Sequence, residues 1–360
     1  MPEHSAQRNP AVDIGKGIAM LLVLYGHAIG ELYLYGDTRA APVAAQLKLI
    51  YSFHMPVFFL FSGMVHRVRE LRPQLRNACA LLFTAYIVHV FCWAAGTLYA
   101  TAAPDWKALV FPLIELRHFK AVIVWFLAAL ALVQLAYHLL SQGPMARRLA
   151  VAAIVLAGFV WAQARASNVF ELSALLPGLL FFAVGHRMAG PGSLMQRLGR
   201  HDGLVLAALV FTVVSAGWNT GCRWDLAGDC PNVPGSFVAL MIAGQYGVLP
   251  LFLLTALVGC FAVVGLSQRI AVRLPAGGRA LAWVGRRTLQ LLVVNGLVIF
   301  FLHPWLAGVL APPGSLWALE AIALTMVAGQ LLMVLLFGSL TSLPLRLAKY
   351  LAARLPLLRA

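Results

Sequence analysis

Apolar residues in this chain come in long runs separated by short polar connections. A helix rises 1.5 Å per residue, so about 20 largely apolar residues cross the hydrocarbon layer of a bilayer. Ten segments meet that requirement. The first five are Gly15–Tyr33, Leu47–Val65, Ala78–Ala100, Val122–Leu140 and Leu149–Gln163, the fifth being short for a crossing. The next five are Leu172–Met188, Gly203–Trp218, Phe237–Leu266, Leu281–Leu302 and Leu316–Leu340. The pattern predicts an all-α integral membrane protein, a polytopic bundle of about ten transmembrane helices. Residues 1–345 form one transmembrane domain and 346–360 a basic tail, and the brief connections leave no room for a separate soluble domain.

Composition points the same way. Hydrophobic residues make up 61% of the 360 and charged residues 11%, against roughly 45–50% and 25% in soluble domains. Too few polar groups remain to coat a water-facing surface. The net charge of +15 would fit nucleic acid only if it formed one basic face. Instead the basic residues cluster in alternate connections, which excludes nucleic acid as the implied partner. Arg67, Arg69, Arg72 and Arg76 follow the second run, Arg147 and Arg148 the fourth, and Arg187, Arg197 and Arg200 the sixth. Arg269, Arg273, Arg279, Arg286 and Arg287 lie around the start of the ninth run, and Arg346, Lys349, Arg354 and Arg359 in the tail. The opposite connections hold far fewer, so the positive-inside rule places both termini in the cytoplasm. The start, Met1 to Ser5, has no basic n-region, and the first run is expected to stay as a helix rather than be cleaved.

None of the five cysteines forms a CxxC pair, which disfavours zinc, and no metal is expected. Cys222 and Cys230 bracket a polar outer loop, where an oxidising compartment would allow a disulfide or two free thiols.

An ionisable side chain near the centre of a spanning helix costs about 2.5–3.5 kcal/mol on insertion scales, so those present are informative. The first run carries Lys16, His27 and Glu31. Eleven residues separate Lys16 from His27, about 20° of rotation and about 16 Å of rise, and Glu31 follows one turn further on nearly the same face. One reading is a polar seam: Lys16 holds an anionic, phosphate-bearing donor, His27 acts as general base, and Glu31 orients and polarises it. The other has Lys16 snorkelling to headgroups and His27 bonded across to another helix. His54, beside Pro56 at the opening of the second run, could share the depth of His27 and bind an acceptor hydroxyl, or be satisfied at the interface. Arg67 and Arg286 are candidates to grip donor phosphates, although charge bias alone accounts for both. Trp125 suits ligand stacking or interfacial anchoring, and Asn295 a substrate or a neighbouring helix.

Two strings carry a family resemblance. Asp13-Ile-Gly-Lys16, running on to Tyr25-Gly-His27, followed by Phe53-His54-Met-Pro56 up to Ser62-Gly63, resembles the membrane acyltransferase-3 family. Trp125-Phe126-Leu127 and Leu176-Pro177-Gly178 through Gly185 are similar to later landmarks of that family, in the same order. The resemblance implies a ten-helix fold in a bacterial inner membrane. It also implies transfer of an acyl group, often acetyl, from cytoplasmic acyl-CoA to a hydroxyl of an envelope carbohydrate or glycolipid. It assigns the family's essential basic residue and histidine to Lys16 and His27. Lysine lacks the bidentate grip of the more usual arginine. In the late pattern Thr288-Leu-Gln-Leu-Leu-Val-Val-Asn295 places asparagine where histidine is frequent. A transporter or flippase, and a member that binds its ligand without catalysis, are the competing readings.

Overall fold

The computed structural model describes residues 9–35, 41–67, 70–100, 103–165, 167–189, 201–219, 238–309 and 315–356. Among them the chain is helical, with a single isolated β-bridge, Leu240 to Gln245. We number the helices α1 (Pro10–Tyr35), α2 (Ala41–Val65), α3 (Leu71–Ala100), α4 (Trp106–Glu115), α5 (Trp125–Ser141), α6 (Met145–Arg165) and α7 (Leu172–Arg187). There follow α8 (Asp202–Trp218), α9 (Leu249–Arg273), α10 (Pro275–Arg286), α11 (Thr288–Val309), α12 (Leu316–Leu336), α13 (Gly338–Thr341) and α14 (Leu343–Arg354).

Eight of the described helical stretches are long and apolar enough to cross a bilayer, and the chain is a multi-pass membrane protein. They are carried by α1, α2, α3, α5, α6, α7, α9 and α12. Two expected crossings differ from this simple form. The seventh is the 17-residue α8. The ninth is a pair, α10 and α11, bent by 68° at their junction. Pro275 starts α10 at a position that needs no N–H partner, and the break falls at Arg287, whose N–H reaches back to Val284. The expected run Phe237–Leu266 is also corrected. Its helix begins only at Leu249, because Gly244 and Gly247 take positive φ and the segment before them forms the Leu240–Gln245 bridge. The last expected run ends four residues early, where Phe337 closes α12. Two further helices extend the expectation. The short α4 precedes α5, and α14 takes up part of the basic tail and packs along α3. Cys222 and Cys230 lie outside the described residues.

α1 is the central helix, surrounded by α2, α9, α10, α11 and α12. Small residues set the spacing. A Cβ on Gly17 would overlap the Leu281 carbonyl, and one on Gly285 the Asp13 carbonyl, so α1 and α10 meet backbone to backbone. Gly63 and Gly185 do the same for α2 and α7. By contrast α6 turns Ile154, Leu156, Val160 and Trp161 outward, the surface that lipid covers.

Candidate functional site

The alternation of helix direction gathers the ends that carry Arg67, Arg76, Arg287 and Lys349 at one side of the bundle, the basic end. Between it and the opposite end lies a polar chain inside the apolar core. His27 of α1 and Asn295 of α11 meet through Nδ1 and Oδ1 at 2.7 Å. Asn295 in turn donates from Nδ2 to Gln330 Oε1 of α12, at 2.9 Å. That second bond turns the carbonyl oxygen of the amide toward His27, so Nδ1 carries the donated proton and Nε2 the lone pair. Asn295 and Gln330 are fully buried, at 1% and 2% exposure, where each polar atom needs its partner.

Two further groups close this centre from α2. The Tyr51 ring stands edge-on to His27 at 6.3 Å and to His54 at 4.7 Å between centroids. His54 is buried and donates from Nδ1 to the Ile50 carbonyl at 2.9 Å, one turn earlier in its own helix. Its Nε2 is thereby the basic nitrogen too. The structure thus places Tyr51 between His54 and His27, and His27 against Asn295. Glu31 lies half-buried one turn beyond His27 on α1. The group on His27 Nδ1 is the Asn295 carboxamide. Nearer the end opposite the basic one, the Tyr25 hydroxyl, with one proton to donate, lies against both Gln46 Oε1 and Glu320 Oε2, and Gln46 Nε2 donates to the other Glu320 oxygen at 2.7 Å, tying α1, α2 and α12 together.

Lys16 is half-buried on α1, next to the Gly17–Gly285 crossing. The other two expected donor-binding residues sit apart from each other. Arg67 lines a cavity of about 540 Å³ at the basic end, together with Ser62, His66, Gln74, Arg76 and Lys349. Arg286 lines a separate one of about 460 Å³, where the Arg287 guanidinium lies 4.4 Å from the Trp283 ring centroid. Trp125 is buried on the wall of a third cavity, of about 520 Å³, apart from Arg67 and Arg286.

Sequence reasoning missed Gln330, Tyr51 and the Tyr25–Gln46–Glu320 cluster. A signal existed for two of them, since Glu320 and Gln330 are lone polar residues inside an otherwise apolar run. Tyr51 had none, because a tyrosine near a helix end fits an interfacial belt equally well.

The acyltransferase-3 family model, described as an acyltransferase domain, matches residues 9–341. Two curated relatives are both named nodulation protein NolL. The one from Mesorhizobium japonicum is 28% identical over 130 residues, which is 36% of this chain and 35% of the relative. The one from Sinorhizobium fredii is 31% identical over 88 residues, 24% of each. The matched stretches thus span about a third and about a quarter of those relatives. No solved structure matches.

Proposed function

This chain belongs to the acyltransferase-3 family, and from that premise we propose that it is an integral membrane O-acyltransferase of the bacterial inner membrane, with both termini cytoplasmic. Its donor is acyl-CoA, with acetyl the expected group. Its acceptor is a hydroxyl of an envelope carbohydrate or glycolipid. The observation that carries this reading is the 2.7 Å contact of His27 Nδ1 with Asn295 Oδ1. It presets the tautomer that a general base needs, within a core that water enters poorly.

His27 Nε2 takes the proton of the acceptor hydroxyl as its oxygen attacks the thioester carbonyl carbon. The C–S bond of the tetrahedral intermediate then breaks. The leaving thiolate takes the proton from the imidazolium, giving free CoA and the new ester. While the ring is cationic its Nδ1–H points at the negative end of the Asn295 carboxamide, which Gln330 holds in place. His54 Nε2 offers a second acceptor for the incoming hydroxyl, and Glu31 adds a carboxylate on the same face of α1 as His27. For the donor, the cavity with Arg67, Arg76 and Lys349 supplies three cations for the nucleotide phosphates, and Lys16 stands on α1 between that end and His27. Arg286, in its own cavity, serves the donor only as a second cationic site.

The test is release of free CoA from acetyl-CoA by the purified protein in nanodiscs, paired with mass spectrometry of envelope glycans from cells with and without the gene. Acceptor-dependent CoA release and a matching acetyl mass on the glycan are the expected results. Acyl transfer at the wild-type rate by normally inserted His27→Ala and His27→Gln variants would overturn the mechanism.

A further inference from the structure

The cavity that holds Trp125 is built from strained backbone. Among the described residues, every non-glycine residue with positive φ lies on or beside its wall: Leu116 (55°), His118 (57°), Phe170 (54°) and Glu171 (52°). Gly244, which lines it too, sits at 67°. Such conformations are unfavourable for L-residues and persist only when the surroundings over-determine them, so they cluster where a site must be shaped.

Here the surroundings do so through buried hydrogen bonds. His89, mid-helix in α3, accepts from the Lys120 N–H at 3.0 Å and donates to the Leu109 carbonyl at 3.1 Å, stapling the 116–121 segment from behind. Asn168 donates to Glu171 Oε2 at 2.7 Å and to the Ile242 carbonyl, and its own oxygen accepts from Ser173 N–H at 2.9 Å. The buried Tyr246 hydroxyl donates to the Ser173 carbonyl at 2.7 Å. Three chain segments far apart in sequence are thus locked around one hollow.

Its lining has a specific chemistry. Gln163 and Gln245 present carboxamides, His118 an imidazole, and Trp125 and Phe119 the edges of aromatic rings, while Asn168 and Glu171 are bonded to each other within the wall. Carboxamides match hydroxyls, since both donate and accept, and aromatic surface matches the C–H face of a pyranose ring. The guanidinium at the rim, Arg117, is already paired with Glu115 at 2.6 Å, so it brings no net charge to attract an acid. The wall also reaches the centre. Val122 and Trp125 line the cavity, while the intervening Ile123 and the preceding Ala121 pack on Gly296. A Cβ on that glycine would lie 2.7 Å and 3.3 Å from their side chains. Gly296 is the residue after Asn295, the partner of His27.

We propose that this cavity is the acceptor subsite, and that it takes a neutral sugar ring of the acceptor. The proposal deepens the functional reading above and rests on it for the hydroxyl being the reacting group. The packing of residues 121–125 on α11 holds that ring next to the turn that orients His27.

Saturation-transfer NMR with methyl glycosides of neutral hexoses and of hexuronic acids tests this in nanodiscs. Neutral glycosides should give signal with the wild type and equally with His27→Ala, since binding does not need the base. The signal should fall at least about tenfold with Gln245→Ala, whose side chain is exposed, and with the milder Trp125→Phe. Thermal unfolding of both variants at the wild-type temperature serves as the fold control. Undiminished binding by Gln245→Ala and Trp125→Phe, or binding of hexuronic acids alone, overturns the subsite. Neutral-glycoside binding that persists while His27→Ala transfers normally would sink the catalytic reading and leave the subsite standing.

Discussion

The centre of the bundle and its basic end both collect polar side chains, but they do so in opposite ways. At the centre, His27, Asn295 and Gln330 come from three helices and are joined by bonds of 2.7 and 2.9 Å, with Asn295 and Gln330 buried where no water replaces a lost partner. At the basic end, Arg67 and Arg76 are exposed and share a cavity with Lys349, while Arg286 and Arg287 occupy another. In the first region the position of each atom carries the effect. In the second, charge carries it and neighbours can substitute for one another. A buried hydrogen-bonded group costs the full desolvation penalty when its partner is removed, whereas exposed charges are screened within about 8–10 Å at physiological salt.

Substitutions can break or sharpen that contrast. The largest effect is expected from His27→Ala, which should lower the rate of acyl transfer by about 10²- to 10⁴-fold, the range for loss of a general base; acceptor-dependent CoA release measures it. Next comes Asn295→Leu. Removing the orienting acceptor while keeping the volume should lower kcat by roughly 10- to 100-fold, matching a buried hydrogen bond of about 1–3 kcal/mol. KM for acyl-CoA should stay unchanged, and an equal rise in KM would mean that Asn295 contacts the donor instead. Gly285→Ala should cost stability first, on the order of 1–3 kcal/mol, because its methyl group meets the Asp13 carbonyl. A lowered unfolding temperature in detergent would register it. The smallest effect is expected from Arg67→Ala. KM for acyl-CoA should rise only a few-fold, the scale of an exposed ion pair, and the difference should shrink as salt is raised. A salt-independent loss as large as that of Asn295→Leu would erase the contrast between the two regions.

Much of the fold was legible because a bilayer makes length and apolarity nearly sufficient for a spanning helix. That argument located all eight long spans. It misjudged the ends of the last three runs, where local backbone decides: positive φ at Gly244 and Gly247 delays α9, and Arg287 breaks what hydropathy reads as one run. The site was legible only on its first side. Lys16, His27 and Glu31 stood out because lipid excludes charge. The partner of His27 did not, since Asn295 lies 268 residues away and its amide reads equally well as a helix contact. The two partners of His89 come from the 109–120 region, which no spacing along α3 records.

By itself, then, the sequence determined that the chain lives in a bilayer, where most of its helices run, and that α1 carries charge through apolar surroundings. These follow from solvent transfer, which depends on composition along a segment and on nothing distant. Only the tertiary structure decided that Asn295, held by Gln330, faces His27, that Arg67 and Arg286 serve different cavities, and that Trp125 closes a strained hollow behind α11. Those are contacts between helices. Helix packing in lipid depends on close backbone approach at a few glycines and on the direction of single hydrogen bonds, neither of which any periodicity along one segment records.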